Sequence, residues 1–198
     1  MVTMAKAAKK AAAAVLSAKP FFGDAKEFVL VPVQSVKPKS TATNVSPDRQ
    51  AVTVLFDSMQ VSTPATAKSK DLGTVKSAAY RIPFNLPDKT TLLGVKVDIR
   101  GNVGKTAGGR ALLIADVAGQ TASTEFEFGD EANEDYVLSY IAELERVSLD
   151  QVASRPPLPE IRVAFTLITQ CLDAKDQVRL TVDSIDLSLV GPNVKAPA

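Results

Sequence analysis

Glu160-Ile161-Arg162-Val163-Ala164-Phe165-Thr166-Leu167-Ile168-Thr169 places a large apolar side chain at Ile161, Val163, Phe165 and Leu167, every second position. Successive side chains of an extended chain point to opposite faces, so this spacing makes one face apolar and predicts a half-buried strand. The same alternation recurs at Val52, Val54 and Phe56 and again at Val95, Val97 and Ile99. Phe56, Val97, Phe165 and Leu187 all sit on the apolar phase of their runs and are expected in one core.

Working outward, short β-rich runs separated by proline, glycine, serine and aspartate predict strands over 28–33, 51–61, 78–84, 92–100, 110–117, 124–128, 160–169 and 178–190. That punctuation is the pattern of an all-β fold, read here as an antiparallel β-sandwich of jelly-roll-like form with one short helix. The last run alternates through Val178, Leu180 and Val182 and resumes out of phase at Ile185, Leu187 and Leu189, which predicts a bulge near Asp183 and Ser184. The helix is expected over 136–147, where Val137, Ile141, Leu144 and Ser148 fall three to four apart behind the possible caps Asn133 and Asp135. Arg155-Pro156-Pro157-Leu158-Pro159 then cannot continue a helix and reads as an extended connector.

A chain of 198 residues, 45% of them apolar, can bury one substantial core and is short for two. The expected division is a basic arm or leader over 1–27, one β-sandwich domain over 28–191 and a tail over 192–198. No run approaches the roughly 18 apolar residues of a membrane-spanning helix, so the expectation is a soluble chain without a membrane span. Histidine is absent, which excludes chemistry that relies on imidazole. The single cysteine, Cys171, has no partner for an internal disulfide and is expected to be buried and inert.

The net charge of +1 conceals an asymmetry. Residues 1–110 carry 17 Lys+Arg against 7 Asp+Glu, and residues 111–198 carry 6 against 15, so +10 is followed by −9. Such a division suggests either a polyanionic partner or self-association, unless distant strands interleave and mix the charges. The first 23 residues hold Lys6, Lys9, Lys10 and Lys19 and no acid. They read as a secretory leader, as a frayed terminus, or as a basic arm that contacts nucleic acid or another acidic surface through released counterions.

Three motifs carry residue types suited to chemistry. Gly101-Asn102-Val103-Gly104-Lys105-Thr106 ends like a phosphate-binding loop, but Ile99 stands where the first glycine belongs, and the segment reads instead as a glycine-rich hairpin loop. Asp130, Glu131, Glu134 and Asp135 could offer oxygens to calcium, though not at the spacing of an EF-hand. Glu125 with Glu127, or Asp183 with Asp186, could pair as acid and base in glycoside hydrolysis, with nothing around them that builds a sugar cleft. No catalytic, cofactor-binding or metal-ligating residue is therefore assigned. Asp57, Asp98, Asp183 and Asp186 are expected to be structural.

Three segments in order carry a resemblance: Ser46-Pro47-Asp48-Arg49-Gln50-Ala51-Val52-Thr53-Val54-Leu55-Phe56-Asp57-Ser58; residues 82–103 with Val97-Asp98-Ile99-Arg100-Gly101; and Val182-Asp183-Ser184-Ile185-Asp186-Leu187. Together they resemble the secreted domain-of-unknown-function family 4360 of bacteria and fungi, over roughly residues 28–190. The resemblance implies a secreted β-sandwich without an assigned activity and brings no catalytic residues. The family's cysteines, near the positions of Ala78 and Pro157, are missing here, which a reducing compartment would permit. The expectation is a non-catalytic structural or surface-recognition domain. The alternative is a self-assembling, coat-like subunit whose basic arm touches nucleic acid.

Overall fold

Strand follows strand throughout the computed structural model, which describes residues 21–23, 29–31, 41–57, 59–64, 70–85, 92–145 and 160–190. In chain order they are β1 (Phe21–Phe22), β2 (Val29–Val31), β3 (Thr41–Val45), β4 (Ala51–Phe56), β5 (Gln60–Thr63), β6 (Gly73–Asn85) and β7 (Leu92–Lys105). There follow β8 (Gly109–Val117), β9 (Gln120–Phe126), β10 (Ala132–Glu145), β11 (Glu160–Cys171), β12 (Val178–Thr181) and β13 (Ser184–Val190). All pairings are antiparallel, in two sheets.

The first sheet runs β1-β6-β11-β8-β9, with β2 also on β6. The second runs β3-β4-β13-β7-β12-β5, with β10 on β7. Strands β12 and β13 lie along the same β7, and β5 and β4 lie along them in turn. Leu180 faces Val103 and Ser184 faces Arg100, so four steps on one strand match three on the other. This one extra residue is the bulge expected at Asp183 and Ser184. It lets Val182 and Ile185, which fall on opposite phases, both enter the core.

No helix occurs among the described residues, and the helix expected over 136–147 is instead strand β10 as far as Glu145, with 146 and 147 outside the described residues. Tyr136, Leu138, Tyr140, Ala142 and Leu144 form the inward phase of that strand, and Val137, counted toward the helical spacing, is 58% exposed. Both periodicities were present in the sequence. The unbroken fourteen-residue ladder to β7 decided between them: it pairs the backbone of every second residue and places the other phase, with Tyr136, Ala142 and Leu144, in the core.

The glycine-rich hairpin loop is also corrected. Gly101 to Lys105 belong to β7, residues 106–108 form the turn, and β8 continues in the other sheet, so the connection crosses between sheets. At the opposite end of β8 a two-residue turn, Ala118-Gly119, has positive φ at both positions, which matches the right-handed twist of the β8–β9 hairpin.

The domain begins before residue 28. Phe22 is fully buried, and β1 pairs Phe22 with Phe84. The rest of the arm, the 155–159 connector and the 192–198 tail lie outside the described residues. Between the sheets, Phe56 from the second packs against Tyr80 and Phe165 from the first, ring centroids 5.4 Å from each, with Tyr80 and Phe165 stacked at 6.2 Å. Val97 and Leu187 join the same cluster, so the four residues expected to share a core do so.

Candidate functional site

The two outer faces differ in chemistry, because the residues left over from the inward phase differ. On the second sheet, Thr53, Asp186, Asp98 and Ser139 stand in one row across β4, β13, β7 and β10. Thr53 donates to Asp186 at 2.5 Å and Ser139 to Asp98 at 2.6 Å. Two carboxylates directly opposite each other would repel, and the neighbouring rows supply the compensation. Lys96 Nζ donates to Asp98 at 2.8 Å, and Arg100 lies 3.6 Å from Asp186.

Partial burial pushes the Asp98 carboxyl upward. The hydrogen bonds from Lys96 and Ser139 and the charges of Lys96 and Arg100 outweigh it, so Asp98 titrates below its usual value. A carboxylate whose folded pKa is depressed stabilises the fold above its unfolded pKa, near 3.9, and loses that contribution as pH falls through the lower folded value. Urea unfolding of the wild type and Asp98→Asn should therefore differ most above about pH 4 and converge in stronger acid. A difference that does not change with pH would mean that the charge is not what matters there.

Among the described residues three ion pairs join a cation of the basic half to an anion of the acidic half: Arg81 to Glu160 at 3.8 Å, Arg100 to Asp186, and Arg110 to Glu125. The +10 and −9 halves are thus interleaved by the sheet order. Each exposed pair is worth at most about 1 kcal/mol, so their role is to match strands rather than to drive folding.

The proposed chemical motifs disperse. Glu125 is engaged by Arg110. Glu127 lines only a surface depression of about 240 Å³ with Arg110, Glu125 and Phe128. Asp183 sits in the bulge, where its backbone takes a hydrogen bond from Phe56 and gives one to Arg100, while Asp186 is tied to Thr53. Asp57 is exposed at the end of β4. Of the acidic cluster, Asp135 binds Asn102 at 3.1 Å and Asp130 offers its carbonyl to Lys105; no metal-holding group forms among the described residues.

Gly101, from the phosphate-loop-like segment, is covered by Tyr136, whose hydroxyl donates to the Thr181 carbonyl at 2.5 Å. Cys171 is buried and its thiol lies 3.4 Å from the Thr63 carbonyl. Burial, with Asp176 nearby, raises its pKa and keeps it a thiol.

The outer face of the first sheet is of another kind. Val75, Ile168 and Leu112 are direct neighbours across β6, β11 and β8, with Ser77, Thr166 and Ile114 in the next row. Val75 is 62% exposed and the other three apolar side chains are half-buried. Arg110 and Gln170 border the strip, lining with Leu112 and Ile168 a depression of about 130 Å³. Sequence reading missed this strip because it seeks the inward phase of each strand, and the strip lies on the other one.

No family model matches the chain. No curated protein matches it either. Among solved structures it is similar to one of the infectious bursal disease virus Gx strain, at 15% identity and a TM-score of 0.40, over 82% of this chain and 37% of that one. It is also similar to TmCBM61 in complex with β-1,4-galactotriose, at 14% identity and a TM-score of 0.23, over 87% of both chains. The chain thus spans little more than a third of the viral chain's length.

Proposed function

We propose that this chain is a non-catalytic structural domain of the jelly-roll type that works by surface contact, associating with protein partners and with copies of itself. The observation that carries the reading is the apolar strip Val75, Ile168, Leu112 and Ile114, set on a rigid sheet and bordered by polar groups. An exposed apolar patch with a polar rim suits a protein partner. Strand order supports the jelly roll. Among β4, β6, β7, β8, β9, β10, β11 and β13, the alignments β4-β13-β7-β10 and β6-β11-β8-β9 are those of two interlocked Greek keys. Three ion pairs supply further support, since they join strands instead of converging on a site.

Light scattering on the full chain at low salt and at about 1 M salt, where the Debye length falls to about 3 Å, tests the reading. Association through the strip should persist at high salt and weaken at least about tenfold in Val75→Glu/Ile168→Glu, equivalent to ~1.4 kcal/mol. Association that dissolves with salt would favour the basic arm and a polyanionic partner instead.

A further inference from the structure

Among the described strands held by a single ladder, β10 is the longest. All fourteen of its residues pair with β7, and no strand among the described residues lies along its other side. One contact fixes the direction of its free groups. Glu143 donates its N–H to the Gln120 side-chain oxygen at 3.0 Å, and its carbonyl accepts from the same amide.

In an antiparallel ladder a residue either exchanges both bonds with its partner or turns both away. Glu143 turns away from β7, so Ile141, Ser139, Val137, Asp135 and Asn133, of the same parity, do so too. No other backbone hydrogen bond among the described residues involves these five. The Gln120 amide shows in miniature what the edge accepts, since it offers an N–H and a carbonyl as a peptide group does and meets both free groups of Glu143. Repeated along the strand, the same exchange needs an extended chain, which is strand addition.

Charge selects which chain. Strand β10 carries Glu134 and Asp135 near its start and Glu143 and Glu145 at its end, only uncharged residues over 136–142, and no lysine or arginine. Glu134, Asp135 and Glu143 are exposed, and none of the three forms an ion pair among the described residues. Between the acidic ends, Val137 is exposed and Leu138, Tyr140 and Ile141 are half-buried.

Like charges directly opposite each other destabilise a sheet, so a strand with acidic ends is repelled. A strand with cations at both ends and a β-branched centre is matched along its whole length. The other described strands held by a single ladder, β1, β2, β3, β5 and β9, carry no lysine or arginine, so these edges of a second copy do not supply it.

We propose that the open edge of β10 binds, by strand addition, an extended segment of another protein whose β-branched centre is flanked on both sides by lysine or arginine. This adds to the surface-contact reading a surface on the other sheet, and it does not depend on the apolar strip.

Fluorescence anisotropy with the full chain and a labelled synthetic peptide tests the proposal. The peptide has a valine- and threonine-rich centre as long as residues 136–142 and a pair of lysines at each end. It should bind saturably. The same peptide with glutamate for lysine should bind at least about tenfold more weakly, and so should one N-methylated at its central amides, which keeps the charge and removes the donors that strand addition needs.

Val137→Pro removes an N–H that the ladder to β7 leaves free, so its circular dichroism should match the wild type while the lysine peptide no longer binds. If that variant unfolds, Ser139→Pro and the N-methylated peptide test the same edge. Absence of saturable binding, equal binding of the glutamate or N-methylated peptide, or full binding by folded Val137→Pro overturns the proposal. Val75→Glu/Ile168→Glu should bind the peptide as the wild type does. Peptide binding without salt-resistant association of the wild type would reject the strip and keep the edge, and the converse would reject the edge alone.

Discussion

Replacing Phe165 with alanine should destabilise the domain by about 3–5 kcal/mol, the range for a buried phenylalanine whose cavity cannot collapse. Phe165 is 1% exposed, and its ring meets Phe56 edge-on and Tyr80 in a stack. Those rings belong to strands in different sheets, each held by its own ladder, so neither can move in to fill the space. The aromatic contacts add ~0.5–1.5 kcal/mol each beyond simple burial. Urea unfolding checks the expectation, with Phe165→Leu as the variant that should lose less. A loss under about 1 kcal/mol would place the residue outside the core.

Gly101→Ala should be at least as damaging, though it adds one methyl group and removes nothing. A Cβ at Gly101 would stand 2.0 Å from the Thr181 carbonyl oxygen and 2.6 Å from the Tyr136 hydroxyl. The carbonyl is backbone at the bulge, and it accepts the Tyr136 hydroxyl's hydrogen bond, so moving it breaks that bond as well. Overpacking usually costs about 1–3 kcal/mol and occasionally more. Loss of a buried hydrogen bond adds ~1–3 kcal/mol. Thermal unfolding should show a large fall in Tm or no cooperative transition at all. Gly104→Ala, on the same strand with only the Asn133 side chain within 4 Å, should be mild. Equal effects at the two glycines would mean that strand propensity, rather than the Tyr136 contact, dominates.

Most of the strands were legible because alternation is a local property: Val163, Phe165 and Leu167 must share a face wherever the strand goes. The bulge was legible for the same reason, as a change of phase within one run. Strand β10 was not. Val137 and Ile141 are apolar on the solvent side, and with Leu144 they imitate a helical stripe over a strand whose inward phase is equally apolar. Likewise Phe22 reads as part of a basic arm until its pairing with Phe84 is known.

The sequence by itself determined an all-β chain, the inward phase of its main strands, its shared core and the lack of imidazole chemistry, since each depends on residue identity and near-neighbour spacing. Only the tertiary structure decided which strands meet. Its long-range pairings interleave the two oppositely charged halves, turn the glycine segment into strand under Tyr136, and gather Val75, Ile168 and Leu112 into one strip. They also leave β10 with an open edge, because a strand's second neighbour is set by sheet order, which no local pattern encodes.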